Sequence, residues 1–331
     1  MIENEWSPDR LIQVSGSYWM SCALHAGVKL DVFTAIGEDN RSGQEIAREI
    51  SGDQRGVCML LNALAAMNLL IKENEQYANT DFGKTFLSKD SPRYMGYMIL
   101  HHHHLIGGWS KLSEAVTAGA PVKTRISFED ETVRESFLMG MFNLASNLAP
   151  RLVPKIDLTA RRHLLDLGGG PGTYAIHFCL QNKDLEATVF DLPTSRKYAE
   201  KTIDKFNIGK RVRFMSGNFL EDDLAGDFDA AWLSHILHGE GPENVQEIIN
   251  KATSSLKRGA LIIIHEFILN DTMDGPLFAA LFSLNMLMGT ERGRSYSENQ
   301  LIDMLSRAGV KDIQRLPLDG SFTSGIITGV V

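Results

Sequence analysis

Residues 164–172 read Leu-Leu-Asp-Leu-Gly-Gly-Gly-Pro-Gly. Leu164, Leu165 and Asp166 have the character of the end of a buried parallel strand. Gly168, Gly170 and Gly172 then predict a turn tight enough to lay bare backbone against a ligand. Glycine suits a position that needs positive φ, or one where no Cβ fits beside a bound molecule. The register excludes two common loops. A dinucleotide fingerprint would place its third glycine at position 173, where Thr173 stands, and a P-loop needs a Gly-Lys-Ser/Thr that is absent.

Working outward, strands alternate with helices from residue 161 onward. The strands are expected at 163–168, 186–192, 211–217, 228–234 and 260–269, with a helix at 243–256 closed by Lys257, Arg258 and Gly259. Such alternation implies a doubly wound α/β sheet of Rossmann-like order. The last segment reads as a strand, a turn at Asp319-Gly320 and a final strand, which adds one antiparallel strand to the parallel sheet. An acid followed by glycines at alternate positions is the pattern of S-adenosylmethionine sites, where an amino-acid tail and a ribose replace a pyrophosphate.

Ligands of open α/β sheets sit beyond the carboxyl ends of the strands. At that rim the sequence places the glycine turn, then Asp191, whose carboxylate suits two ribose hydroxyls. Asn218 and Phe219 follow, an amide for an adenine edge and a ring to stack on it. The next strand runs out through Ser234 into His235 and His238, and the last ends near Glu266. A nucleoside site, an imidazole and a carboxylate therefore meet at one edge.

The first half reads as helical. Segments 24–36, 42–50 and 55–70 have apolar residues three or four apart, with Ser42 and Glu45 spaced as a capping box. An Asn-rich stretch between Ile71 and Tyr77 suggests a hairpin, giving the helix–helix–helix–hairpin order of a winged helix. Helix 55–70 carries Arg55 as its one positive charge. That face suits protein contact rather than phosphate, so the unit is expected to dimerise. The domains are placed at 1–98 and 99–331, with a helical linker at 99–160.

The bulk figures narrow the classes. A formal net charge of -8 opposes nucleic-acid binding, and 44% hydrophobic content is ordinary for a globular protein. No apolar run reaches the roughly 18 residues a membrane span needs. The beginning MIENEWSPDR lacks an apolar signal core, so the protein is expected in the cytoplasm. Cys22, Cys58 and Cys179 are too scattered for a metal or disulfide framework. His101–His104 form a tetrad, but adjacent residues on a helix diverge and do not converge on one ion. No resident metal is expected.

Taken together these motifs resemble the S-adenosylmethionine-dependent O-methyltransferases of the plant caffeic acid type and their bacterial relatives in polyketide and pigment biosynthesis. The resemblance covers nearly the whole length. It rests on the dimerisation-like stretch from LDVFTAI to DFGKTFL, on GGWSKLSEAVTAGAPV at 107–122, and on FLMGM at 137–141. DLGGGPG, FDLP at 190–193 and GNFLED at 217–222 match its cofactor motifs. ILHGE at 236–240, HEFIL at 265–269 and GRSYSENQLIDMLSRAG at 293–309 match its catalytic stretches.

The resemblance implies cofactor contacts from Asp166, Gly168, Gly170, Asp191, Leu192, Asn218, Phe219 and Ser234. It implies His238 as general base, with Glu266 and Glu298 as the acids that orient it. Trp109, Met141 and Met286 fall on walls of a small-molecule acceptor site, and the assembly implied is a homodimer through the N-terminal domain. Three departures stand out. Asn218 replaces an aspartate, Gly239-Glu240 replaces Asp-Trp after the base, and Ser234 stands where plant members often carry lysine. Alternative readings are methyl transfer to carbon on a pigment-like ring, and a winged-helix regulator that binds the cofactor without transferring its methyl.

Overall fold

The computed structural model describes residues 5–123, 130–318 and 323–331. It divides into two compact units, residues 1–105 and 106–331. In the first unit, helices α1 (Pro8–Gly16), α2 (Tyr18–Lys29) and α3 (Val32–Ile36) lead to a short strand β1 (Arg41–Ser42). Helices α4 (Gly43–Glu49) and α5 (Gln54–Ala66) precede the hairpin β2 (Leu70–Glu73) and β3 (Gln76–Asn79). Helices α6 (Asp81–Phe86) and α7 (Gly96–Trp109) follow, the latter running on into the second unit.

The helix–helix–helix–hairpin order is present, with β1 added to make a three-stranded sheet in the order β1-β3-β2. Ser42 caps α4 as expected: its Oγ accepts from the Glu45 N–H, and Glu45 returns to the Ser42 N–H at 2.8 Å. Two helices are shorter than their periodicity suggests. The 24–36 segment breaks at Asp31, which adopts φ 60°, and the 55–70 segment ends before Asn68 at φ 57°. Asparagine and aspartate tolerate this left-handed conformation better than most residues. The released Leu70 becomes the first, buried residue of the hairpin. Val32, Phe33, Ile46, Leu61, Leu64 and Tyr77 form the core of this unit.

The second unit opens with α8 (Leu112–Ala118) and the long α9 (Glu131–Leu152). Then come β4 (His163–Leu167), α10 (Thr173–Gln181), β5 (Glu186–Asp191), α11 (Arg196–Lys205), β6 (Val212–Ser216) and β7 (Phe228–Ser234). The chain continues through α12 (Pro242–Ser254), β8 (Leu256–Glu266), α13 (Leu277–Gly289), α14 (Glu298–Arg307), β9 (Lys311–Leu316) and β10 (Gly325–Val330). Their sheet has seven strands in the order β6-β5-β4-β7-β8-β10-β9. β10 runs antiparallel to both neighbours, which are otherwise parallel with the rest. The expected turn at Asp319-Gly320 lies outside the described residues.

β8 differs from expectation at both ends. It begins at Leu256, inside the expected helix stop, and finishes at Glu266, so residues 267–269 leave the sheet. That early end sets the carboxylate of Glu266 at the rim. Strand order reverses between β4 and β7, and both strands deliver their carboxyl ends to this switch point.

Trp232 on β7 is fully buried among Tyr174, Phe178 and His265, with ring centroids 5.1–5.2 Å away. Cutting such a ring back to a methyl leaves a cavity that costs about 3–5 kcal/mol. Trp232→Ala is therefore expected to lower unfolding stability by that amount in urea titration.

Candidate active site

The glycine turn after β4 is built as the sequence requires. Gly168, Gly170 and Gly172 have φ of 66°, 52° and 73°, the left-handed region that disfavours side chains. Space is short as well: a Cβ on Gly168 would stand 2.5 Å from Ile236 and 3.4 Å from the Phe219 ring. The turn, the ring after β6 and the chain after β7 thus close on one another.

Asp166 lies beneath this turn and is fully buried. One carboxylate oxygen accepts from the Ala175 N–H at 3.2 Å, while the other, Oδ1, has no hydrogen-bond partner. Burial, helped by the negative charge of Asp191, pushes its carboxyl up to about 7. A buried acid with an unsatisfied oxygen is a costly feature, of the kind that a polar or cationic ligand group relieves.

Asp191 ends β5. Its Oδ2 accepts from the Gly170 N–H at 2.7 Å, and its Oδ1 accepts from the Leu192 N–H at 2.7 Å and the Ser195 hydroxyl at 2.8 Å. Burial raises its carboxyl above the ordinary range despite these donors. A carboxylate has about four acceptor positions. Three are used, so one remains for a hydroxyl of a ribose. Leu192 takes part through its backbone N–H.

Asn218 turns its side chain inward to its own loop, with Oδ1 accepting from the Leu220 N–H at 3.1 Å. Its backbone N–H donates to Asp222 at 2.8 Å. Ser234 is hydrogen-bonded to Nδ1 of His265 at 2.8 Å, and Nε2 of that buried imidazole meets the Ser324 hydroxyl at 2.7 Å. Burial holds His265 well below the ordinary histidine range, so it stays neutral. The cradle, the orphaned Asp166 oxygen and the open position on Asp191 all fit a nucleoside cofactor with a polar tail.

Glu266 organises the reactive side. Its Oε1 accepts from the Leu237 N–H at 2.9 Å and the His238 N–H at 3.3 Å, and its Oε2 contacts His238 Nδ1 at 2.7 Å. Burial alone would raise this carboxyl. The neighbouring imidazole of His238, its hydrogen bond at 2.7 Å and the nearby imidazole of His235 overcome that and hold it below the carboxylate range. An ionised carboxylate only accepts, so Nδ1 carries the proton and Nε2 is left as a lone pair. Nε2 has no hydrogen-bond partner among the described residues.

Around this dyad stands an aromatic wall the sequence reading did not name. Phe282 meets the His238 ring edge-on at 4.7 Å, and Phe267 packs on Phe278 and Phe282 at 4.8 and 4.7 Å. The signal was the spacing on α13: Phe278, Phe282 and Met286 recur every fourth residue and share one face. Met286 lies on this face, half-buried. Met141 is half-buried on α9, one turn beyond Leu138, whose side chain approaches Gly170. Trp109 is half-buried at the end of α7, and its ring is not among those packed on the dyad.

Glu298 requires a correction. Its carboxylate forms an ion pair with Arg315 on β9 and does not meet His238. The reason is local: Glu298 is the first residue of α14 and faces the neighbouring strand, where a guanidinium competes for it. Glu240, in the departing Gly-Glu pair, is buried; its side chain accepts from Asn244 and its carbonyl from the Tyr296 hydroxyl at 2.6 Å. The histidine tetrad sits on α7, where His103 Nε2 lies 3.0 Å from Lys29 Nζ. Its members differ in burial: His101 is buried, His102 exposed, and His103 and His104 half-buried.

A turn that fits a nucleoside and an imidazole held on a carboxylate at one switch point suit a group-transfer enzyme, and comparison with known proteins gives the group. Residues 110–311 match the O-methyltransferase domain, and residues 12–89 match the O-methyltransferase dimerisation domain. The 3-hydroxy-5-methyl-1-naphthoate 3-O-methyltransferase of Streptomyces sahachiroi is 30% identical, over 98% of this chain and 95% of its own. The tetracenomycin polyketide synthesis 8-O-methyl transferase TcmO of Streptomyces glaucescens is 28% identical, over 96% of each. Among solved structures, an O-methyltransferase family protein from Burkholderia thailandensis superposes with a TM-score of 0.88 at 26% identity, covering 98% of both chains. The chain belongs to the O-methyltransferase family, and its cofactor is S-adenosylmethionine.

Asp166 supplies a pH test of the free protein. In the unfolded chain an aspartate titrates near 3.9. Between that value and about 7 the folded state keeps a proton that the unfolded state has released, so stability falls as pH rises through this window. Asp166→Asn removes the term, which is on the order of a few kcal/mol. Thermal unfolding without cofactor is expected to show the wild type losing stability from pH 5 to 8 and the variant losing clearly less.

Proposed function

We propose that the protein transfers a methyl group from S-adenosylmethionine to a hydroxyl of an aromatic or polycyclic small molecule, with His238 as general base. The observation that carries this reading is the 2.7 Å contact between His238 Nδ1 and the buried Glu266 carboxylate, which turns Nε2 into the acceptor. The aromatic wall of Phe267, Phe278 and Phe282 beside the same imidazole suits a flat, apolar acceptor. The two Streptomyces relatives are named for a hydroxynaphthoate and for a tetracenomycin polyketide, which agrees with that class.

Residues of the chain divide the work. Gly168, Gly170 and the backbone of Leu192 shape the cradle; Asp191 offers its open acceptor position to the ribose, and Asp166 its unsatisfied oxygen to the polar tail. Phe219 lies against the turn where an adenine would stack, Asn218 precedes it in the chain, and Ser234 stands at the end of β7 on His265. The cofactor, when bound, supplies a sulfonium-activated methyl group. A phenol with a pKa of about 10 is a weak nucleophile at neutral pH, and an imidazole of ordinary pKa about 6.5 can accept its proton as attack begins. Glu266 keeps His238 in the right tautomer and offsets the positive charge that the ring gains. Met141, Met286 and Trp109 complete the acceptor walls.

We assign the N-terminal unit to homodimer formation in the arrangement of a winged helix. Trp6, Ile12, Trp19 and Met20 on and beside α1 and α2 are each more than 60% exposed, an apolar surface unusual for a monomer. Among the described residues no helix is long and apolar enough to cross a membrane, so this surface does not belong to a membrane-spanning helix.

Positioned general bases contribute roughly 10²–10⁴-fold in rate. His238→Ala is expected to cut kcat with a phenolic acceptor by that range while the dissociation constant for S-adenosylmethionine stays within about twofold of wild type. Full turnover in the variant, measured by release of S-adenosylhomocysteine, would remove His238 as the base.

A further inference from the structure

One side chain at the rim has no role in that scheme. His235 directly follows β7 with φ 55°, anchored by its N–H donating to the His265 carbonyl at 2.9 Å. Its ring lies between Phe267 and His265, with centroids 4.2 and 4.4 Å away. Its Nδ1 is buried and has no hydrogen-bond partner, yet it points to Glu266 Oε2 at 3.6 Å. Oε2 already binds His238 Nδ1, so two imidazole nitrogens converge on one carboxylate oxygen.

The ligating atoms of His235, His238 and Glu266 all lie within 4.8 Å of one another. Tetrahedral zinc with ligand bonds near 2.0–2.1 Å sets its donors roughly 3.3–3.5 Å apart. The His235–Glu266 distance of 3.6 Å is close to that spacing, and the His238–Glu266 distance of 2.7 Å would have to widen as the cation enters. Two imidazoles and one carboxylate favour a borderline cation such as zinc over magnesium, which prefers an all-oxygen shell. His265 is close but unsuitable, since both of its nitrogens are bound by Ser234 and Ser324.

We propose that His235, His238 and Glu266 form an inhibitory binding site for a zinc-like divalent cation. The inhibition rests on the reading of His238 as base. Coordination at Nδ1 takes the lone pair there and places the remaining ring proton on Nε2, the atom that must accept the proton of the acceptor hydroxyl. The same cation removes Glu266 from the dyad. Loaded enzyme therefore holds its cofactor cradle intact but lacks a base.

The test uses the full-length protein with zinc chloride as probe, binding measured by equilibrium dialysis and turnover measured on the same samples. His235→Asn is the variant of choice, because asparagine tolerates positive φ and its amide is a poor zinc ligand. Wild type is expected to bind one more equivalent of zinc than the variant, or to bind it at least about tenfold more tightly. Zinc should suppress wild-type turnover at that occupancy and the variant only at about tenfold higher concentration, each relative to its own zinc-free rate. Magnesium is expected to do neither. Equal zinc binding by the two proteins, or equal inhibition, overturns the site, and the latter would point to the α7 histidines. Selective binding without loss of turnover would keep the site and overturn His238 as base.

Discussion

A carboxylate taken out of water must be met by donors from every side, and at the end of β8 that requirement shapes the whole reactive rim. Glu266 draws in the backbone N–H groups of Leu237 and His238, the Nδ1 of His238 and, at 3.3 Å, the N–H of Phe267. These bonds pin the chain leaving β7 against the chain leaving β8. They also fix which nitrogen of His238 is basic. The position of the carboxylate depends in turn on β8 stopping at residue 266, and on β7 and β8 pairing in register from Ala230 to Ser234.

The cofactor side runs on the opposite economy. Asp166 is buried and Asp191 half-buried, desolvation raises both carboxyls, and Asp166 keeps an unsatisfied oxygen. Left-handed glycines close over them, and at Gly168 a Cβ would meet Ile236 and Phe219. The free protein therefore carries an uncompensated desolvated acid where a polar ligand would bind. Glu266, by contrast, is fully satisfied before any ligand arrives.

Much of this was legible in the chain. The glycine run, the alternation of strands and the acids at strand ends are local patterns with one backbone solution, so the sheet and the cradle followed from them. The dyad followed because both partners sit at the ends of adjacent parallel strands. Other features were not local. Phe267, Phe278 and Phe282 come from two elements, and only packing reveals that they share a surface with His238. Glu298 misled because a motif fixes position and not direction: its carboxylate turned to Arg315 on the next strand, β9. His235 looked like a strand-end residue until its left-handed backbone aimed the ring at Glu266.

The central claim is that ionised Glu266 sets the tautomer that makes His238 a base. Glu266→Gln tests it most directly. The amide keeps size and an acceptor oxygen for the two backbone N–H groups, but it presents an N–H to Nδ1 and so moves the ring proton to Nε2. Single-turnover methyl transfer is predicted to slow by about a hundredfold or more, with cofactor affinity unchanged. A rate within about threefold of wild type, in a variant that still folds and binds S-adenosylmethionine, would contradict the account.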